Sequence, residues 1–167
     1  MVFEWLTVPA RQAIADAQEM ARAAERPAVG AGDLFSGLLH TGTAVGGEVL
    51  RARVDVQTAE VAIRALPETA ADHDDVLRMV MTAAVGAAAA RGTREVGTGS
   101  LLLALLALDP PDLNPLLVAV GVDAAELLAA AREADDSREQ DQAVGESEWV
   151  VTINGTDETV AGDDRAE

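Results

Sequence analysis

Two stretches of this sequence repeat one another at a constant spacing, and that spacing limits the fold more than any other feature. Arg11 falls on Arg78, Ile14 on Met81, Ala17 on Ala84 and Ala21 on Ala88, each pair 67 residues apart. At the same offset Val29-Gly30 falls on Val96-Gly97, and Leu34, Leu38, Leu39 and Leu50 fall on Leu101, Leu105, Leu106 and Leu117. Beyond that point the match slips by one residue, so that Asp55 pairs with Asp123. Self-similarity at a fixed period marks a duplicated structural unit, and a unit this small buries its apolar face poorly unless it packs on its neighbour.

Each copy reads as helices. Thr7 is an N-cap residue type, Pro9 suits a first turn, and Ala10, Ile14, Ala17, Ala21 and Ala24 recur at helical spacing until Arg26-Pro27. Helices are predicted over 7–24, 33–40, 44–53 and 55–66, and again over 73–91, 100–108, 112–120 and 123–134. Asp33 and Asp55 are the expected caps of the second and fourth. In the long 73–91 helix Val76, Val80, Ala83, Ala84 and Ala87 are expected on the core side. The many alanines on the long helices imply close helix approach. The expected fold class is therefore all-α: two tandem four-helix repeats, about 3–66 and 73–134, packed as one domain over 1–134.

Residues 135–147 read as a polar linker, and 148–167 as an acidic tail. Within the tail, Glu148-Trp149-Val150-Val151-Thr152-Ile153 and Thr156 to Val160 flank Asn154-Gly155, a hairpin signal. An isolated hairpin is marginal in water, so this one is disordered, docked on the helical body or paired with another chain.

Charge and composition narrow the function. The formal net charge is −17, which repels phosphate backbones and anionic membrane surfaces, so neither nucleic acid nor membrane is an expected partner. All 12 basic residues are Arg, and there is no Cys, so lysine Schiff bases, disulfides and thiolate metal sites are excluded. No leader-like basic and apolar run opens the sequence, and Leu101 to Leu108 is too short to span a bilayer, so a cytoplasmic location is expected. Asp72-His73-Asp74-Asp75 is dense in ligand-type side chains, but adjacent residues at a helix start diverge, and no metal or cofactor is expected. There is no Gly-x-Ser-x-Gly elbow, and nothing places His40 or His73 beside a serine.

Phe3-Glu4-Trp5-Leu6-Thr7, Ala10-Arg11 and Ala17-Gln18-Glu19 resemble the opening of the N-terminal domain of Clp protease ATPases of the ClpC type. Val29-Gly30-Ala31-Gly32-Asp33-Leu34-Phe35 resembles the family's Ile-Gly-Thr-Glu-His-Leu block, and Val96-Gly97-Thr98-Gly99-Ser100-Leu101-Leu102 its second copy. The resemblance covers about residues 3–134. It implies that the two repeats are related by pseudo-twofold symmetry, and it implies a binding module that receives Clp adaptors, client proteins or peptide-like small molecules, with phosphoarginine among the family's ligands. No Walker motif occurs, and without Lys none can, so the expectation is the N-domain alone, without the AAA+ module. The family's Glu in that block is replaced by Gly32 and Gly99, which puts phosphoarginine recognition in doubt; Asp33 stands next to one of them.

The residues expected to meet a ligand or partner are Phe3, Glu4, Trp5, Thr7 and Arg11 at the chain start, Gly30, Asp33 and Phe35 in the first repeat, and Arg78, Met79, Gly97, Thr98 and Ser100 in the second. Gly30 to Asp33 and Gly97 to Ser100 open helices, where backbone N–H groups can hold a small anion. No catalytic residue is assigned. The alternative function is a small-molecule-binding, resistance or biosynthetic protein of a natural-product pathway, or an enzyme repurposed on the same scaffold. The oligomeric state is left open.

Overall fold

The structure, a computed structural model, describes residues 2–41, 44–66 and 76–136. The predicted tail hairpin, most of the 135–147 linker and the Asp72-His73-Asp74-Asp75 cluster lie outside the described residues. After a 3-10 turn, Val2–Trp5, come α1 (Val8–Ala23), α2 (Ala31–His40), α3 (Val45–Arg51), α4 (Val56–Ala65), α5 (Val76–Ala90), α6 (Thr98–Leu108) and α7 (Leu113–Ala119). Residues 124–136 are helical as well, and we call them α8. The described residues up to Asp135 form one compact unit.

The duplication is visible in the hydrogen bonds. At the end of α1 the Arg26 N–H donates to Ala21 O at 2.9 Å and the Glu25 N–H to Arg22 O at 3.0 Å. At the end of α5 the Thr93 N–H donates to Ala88 O and the Gly92 N–H to Ala89 O, each at 3.0 Å. These are Schellman closures, which need a left-handed residue just past the helix. Glu25 (φ 56°) and Gly92 (φ 77°) supply it at matching positions. After the one-residue slip the match continues. The Asp55 carboxylate accepts the Thr58 N–H at 3.0 Å, and the Asp123 carboxylate accepts those of Ala125 and Glu126 at 2.8 and 3.1 Å.

Burial repeats too. Leu34 and Leu101, Phe35 and Leu102, Leu38 and Leu105, and Ala59 and Leu127 are all fully enclosed. Both halves contribute to one continuous core, with α2 and α6 at its centre. α1 lies on α2 and α5 lies on α6, while α3 reaches across to α6 and α4 to α7. Of the α5 face expected in the core, Val80 and Ala84 are buried, but Ala87 is exposed and Leu77 and Ala88 take part instead. The buried stripe runs through 77, 80, 84 and 88, a regular helical seam.

α2 and α6 each begin two residues before the expected starts at Asp33 and Ser100, with Gly30 and Gly97 as extended N-caps. Asp33 is therefore not the cap. It sits in the first turn and reaches back to accept the Gly30 N–H at 2.9 Å, the acid half of a capping box. Pro115 occupies the first turn of α7, where its missing N–H costs nothing.

The exposed Asp55 cap carries a pH signature. Its carboxyl is held below its ordinary value, chiefly by the Thr58 N–H and then by the Thr58 hydroxyl. A depressed carboxyl binds fewer protons folded than unfolded, so its contribution is complete above the ordinary range and lost as pH falls through the folded value. Urea melts across a pH series should show Asp55→Ala less stable than the parent near neutrality, the gap closing in acid. A gap that does not change with pH would refute the assignment.

Candidate functional site

The chain start is fastened between the two repeats. Leu6 and Val96 form a parallel β-bridge; the Thr7 N–H donates to Val96 O at 3.0 Å and the Val96 N–H to Trp5 O at 2.6 Å. Leu6 is 5 % exposed and Trp5 is half-buried against the core, and the 3-10 turn packs on α5. Thr7 then caps α1, its hydroxyl accepting the Ala10 N–H at 3.3 Å. Phe3 lies in the turn, while Glu4 and Arg11 point to solvent, as does Val8 at 78 % exposure. On α5, Arg78 is exposed and Met79 is 42 % exposed. Glu4, Val8 and Arg11 are thus exposed beside a pinned backbone, and Arg78 and Met79 are exposed on α5, against which the 3-10 turn packs.

The other expected residues are placed differently. Phe35 is fully enclosed in the core and reaches no surface. The Thr98 hydroxyl is buried and accepts the Gly46 N–H at 2.9 Å, which joins α3 to α6. Asp33 is fully buried. Its two carboxylate oxygens each receive a guanidinium N–H of Arg26 at 2.5 Å, a bidentate pair. Ser100 is 7 % exposed, and Arg91 donates to its hydroxyl at 3.4 Å and to Asp135 at 3.0 Å. The starts of α2 and α6 are thus each lined by a carboxylate and a guanidinium of the chain itself. Asp33, Ser36, Thr98 and Ser100 are the buried polar side chains among the described residues, and each has a hydrogen-bond partner.

Ser36, His40 and Glu60 come together, against the expectation that nothing sets His40 beside a serine: Ser36 and His40 are four residues apart on one helix face, and only Glu60 had no local signal. The His40 Nε2 is 3.4 Å from a Glu60 oxygen, and its Nδ1 is 3.4 Å from Ser36 Oγ. A hydroxyl nucleophile would need Nδ1 as its base. Nδ1 is, however, 2.7 Å from Ser36 O, a hydrogen bond that needs its proton. With that proton in place it cannot take the Ser36 hydroxyl proton, and the hydroxyl is wholly buried. The trio ties the end of α2 to α4.

Residues 5–120 match the sequence family described as the Clp repeat (R) N-terminal domain. The chain belongs to that family. No curated protein sequence matches this Clp N-domain at a significant level. Among solved structures it is similar to the N-terminal domain of the caseinolytic-protease-associated chaperone ClpD from Arabidopsis thaliana. That match has a TM-score of 0.65 at 20 % identity and covers 80 % of this chain and 96 % of that one. It is also similar to the Hsp104 N-terminal domain from Candida albicans, with a TM-score of 0.56 at 18 % identity over 75 % and 88 % of the two chains. A third neighbour comes from a malarial protein secretion system, with a TM-score of 0.57 at 12 % identity over 77 % and 93 %. At these identities the neighbours establish the fold alone, all-α and duplicated.

In this Clp N-domain the two glycines at the family's acid position are packing positions. A Cβ on Gly32 would lie 3.2 Å from Leu66 Cδ1 and 3.3 Å from Ile63 Cγ2. On Gly99 it would lie 2.8 Å from an Asp135 oxygen and 3.0 Å from Val45 Cγ1. Asp33 does not stand free to replace the missing acid, because Arg26 and the Gly30 N–H occupy both its oxygens. Sequence reasoning missed Arg26, Arg91 and Asp135. The signal for Arg26 was a basic residue seven positions before a helix-start acid; for the 44-residue Arg91–Asp135 pair there was no local signal. No single helix among the described residues is long and apolar enough to cross a membrane.

Proposed function

We propose that this Clp N-domain is a non-catalytic, cytoplasmic binding module of a Clp-type proteolytic system. It receives an adaptor, a client segment or a peptide-like ligand on the surface around its chain start. The observation that carries the reading is the fastening of residues 5–7 to Val96, which holds Glu4, Val8 and Arg11 outward on fixed backbone. A preorganised surface loses little entropy on binding. An exposed valine beside a guanidinium suits an extended peptide with an apolar residue next to an acidic one. Membership of the family supports protein partners in the Clp system, and the satisfied hydrogen bonding of Ser36 and His40 supports binding over catalysis.

An array of peptides tiling Clp adaptors and clients tests this. Val8→Asp and Arg11→Glu should each weaken capture about tenfold or more, with unchanged circular dichroism. Capture that both variants retain in full would end the proposal.

A further inference from the structure

The starts of α2 and α6 are closed by the same chemistry from different parts of the chain. In the first repeat the carboxylate belongs to Asp33, inside α2 itself, and it meets Arg26 only seven residues away. In the second repeat the matching position is Ser100, whose hydroxyl reaches Arg91 at 3.4 Å but brings no charge. The charge comes instead from Asp135 near the end of α8, at 3.0 Å from Arg91 and 44 residues from it in sequence. Gly99 makes this possible, since any Cβ there would sit 2.8 Å from the Asp135 carboxylate.

We infer that Asp135 is a latch: it pins the end of α8 to Arg91, whose guanidinium also reaches Ser100 at the start of α6, so that the opening of α8 and the loosening of that helix start are coupled. The latch is also the more solvated pair. The Arg91 and Asp135 side chains are 33 % and 13 % exposed, against 34 % and 0 % for Arg26 and Asp33. Partly solvated ion pairs are screened by salt. The opening of α8 and the loosening of the first turn of α6 are therefore one coupled, salt-sensitive event.

Hydrogen exchange of the full chain, followed by mass spectrometry, tests this. Three segments are compared: the start of α6, the end of α8, and the start of α2 as internal reference. Asp135→Asn should speed exchange of the first two about tenfold and leave the third unchanged. Adding Ser100→Asp to that variant recreates the first-repeat arrangement, with a local carboxylate facing Arg91. It should restore the start of α6 while the end of α8 stays fast. In the unmodified chain, rising salt should speed the same two segments together, a measurement that needs no variant to fold. The proposal is overturned if the end of α8 exchanges equally in Asp135→Asn and the parent, if Ser100→Asp protects both segments, or if salt leaves them unmoved.

Discussion

Gly37→Ala is expected to cost about 3 kcal/mol and to lower the melting temperature by about 10 °C. A Cβ at this position would lie 2.2 Å from the carbonyl oxygen of Ala13 and 3.4 Å from the Ala17 nitrogen. Both are backbone atoms of α1, so no side-chain rotation relieves the clash and the two helices must separate. Separation loosens the seam where Ala10, Ala13, Ala17, Leu34 and Leu38 are all enclosed. Gly86 is the internal control. It lies on the exposed side of α5, and a Cβ there meets nothing within 4 Å. Gly86→Ala should therefore stabilise the protein by about 0.5–1 kcal/mol through helix propensity alone. Thermal melts of both variants decide the point: a Gly37→Ala protein that melts with the parent would refute the close approach of α1 and α2.

The second large effect is an asymmetry across one ion pair. Arg26→Ala leaves the Asp33 carboxylate fully enclosed without its bidentate partner, and removing one member of a buried pair typically costs about 3–5 kcal/mol. Asp33→Asn removes the other charge, but the remaining guanidinium is 34 % exposed and can turn to water. The asparagine oxygen can still accept the Gly30 N–H that Asp33 now accepts at 2.9 Å. The expected loss is only about 1–2 kcal/mol. Urea denaturation of the two variants should rank Arg26→Ala as clearly the less stable. The reverse order would mean that the guanidinium, rather than the carboxylate, is the group that cannot be left alone.

Neither effect can be read from residue types. Gly37 has the same neighbours in sequence as many helical glycines, and its counterpart at the 67-residue offset is Ala104, so the repeat itself gave no warning. The second pair of helices carries a Cβ there and cannot approach as the first pair does. Phe35 shows the same limit. An aromatic on an amphipathic helix can face a partner or the core, and the packing of α2 between both halves placed it in the core. Asp33 was legible as a helix-start residue, yet its exact position depended on Gly30 taking the cap, which let the acid reach back from the first turn.

The duplication, the helical class and most of the core were written in the sequence, because apolar positions on a helix recur with the helical period and a copied unit copies that pattern. Val29 and Val96, Leu34 and Leu101, and Ala59 and Leu127 are enclosed alike for that reason. Tertiary structure alone decided which polar groups meet: Thr98 with Gly46, Arg91 with Asp135, and the chain start with Val96. Each of these contacts joins residues tens of positions apart. Hydrogen bonds and ion pairs act over a few ångströms, and only the packing of one repeat on the other brings such groups within that reach.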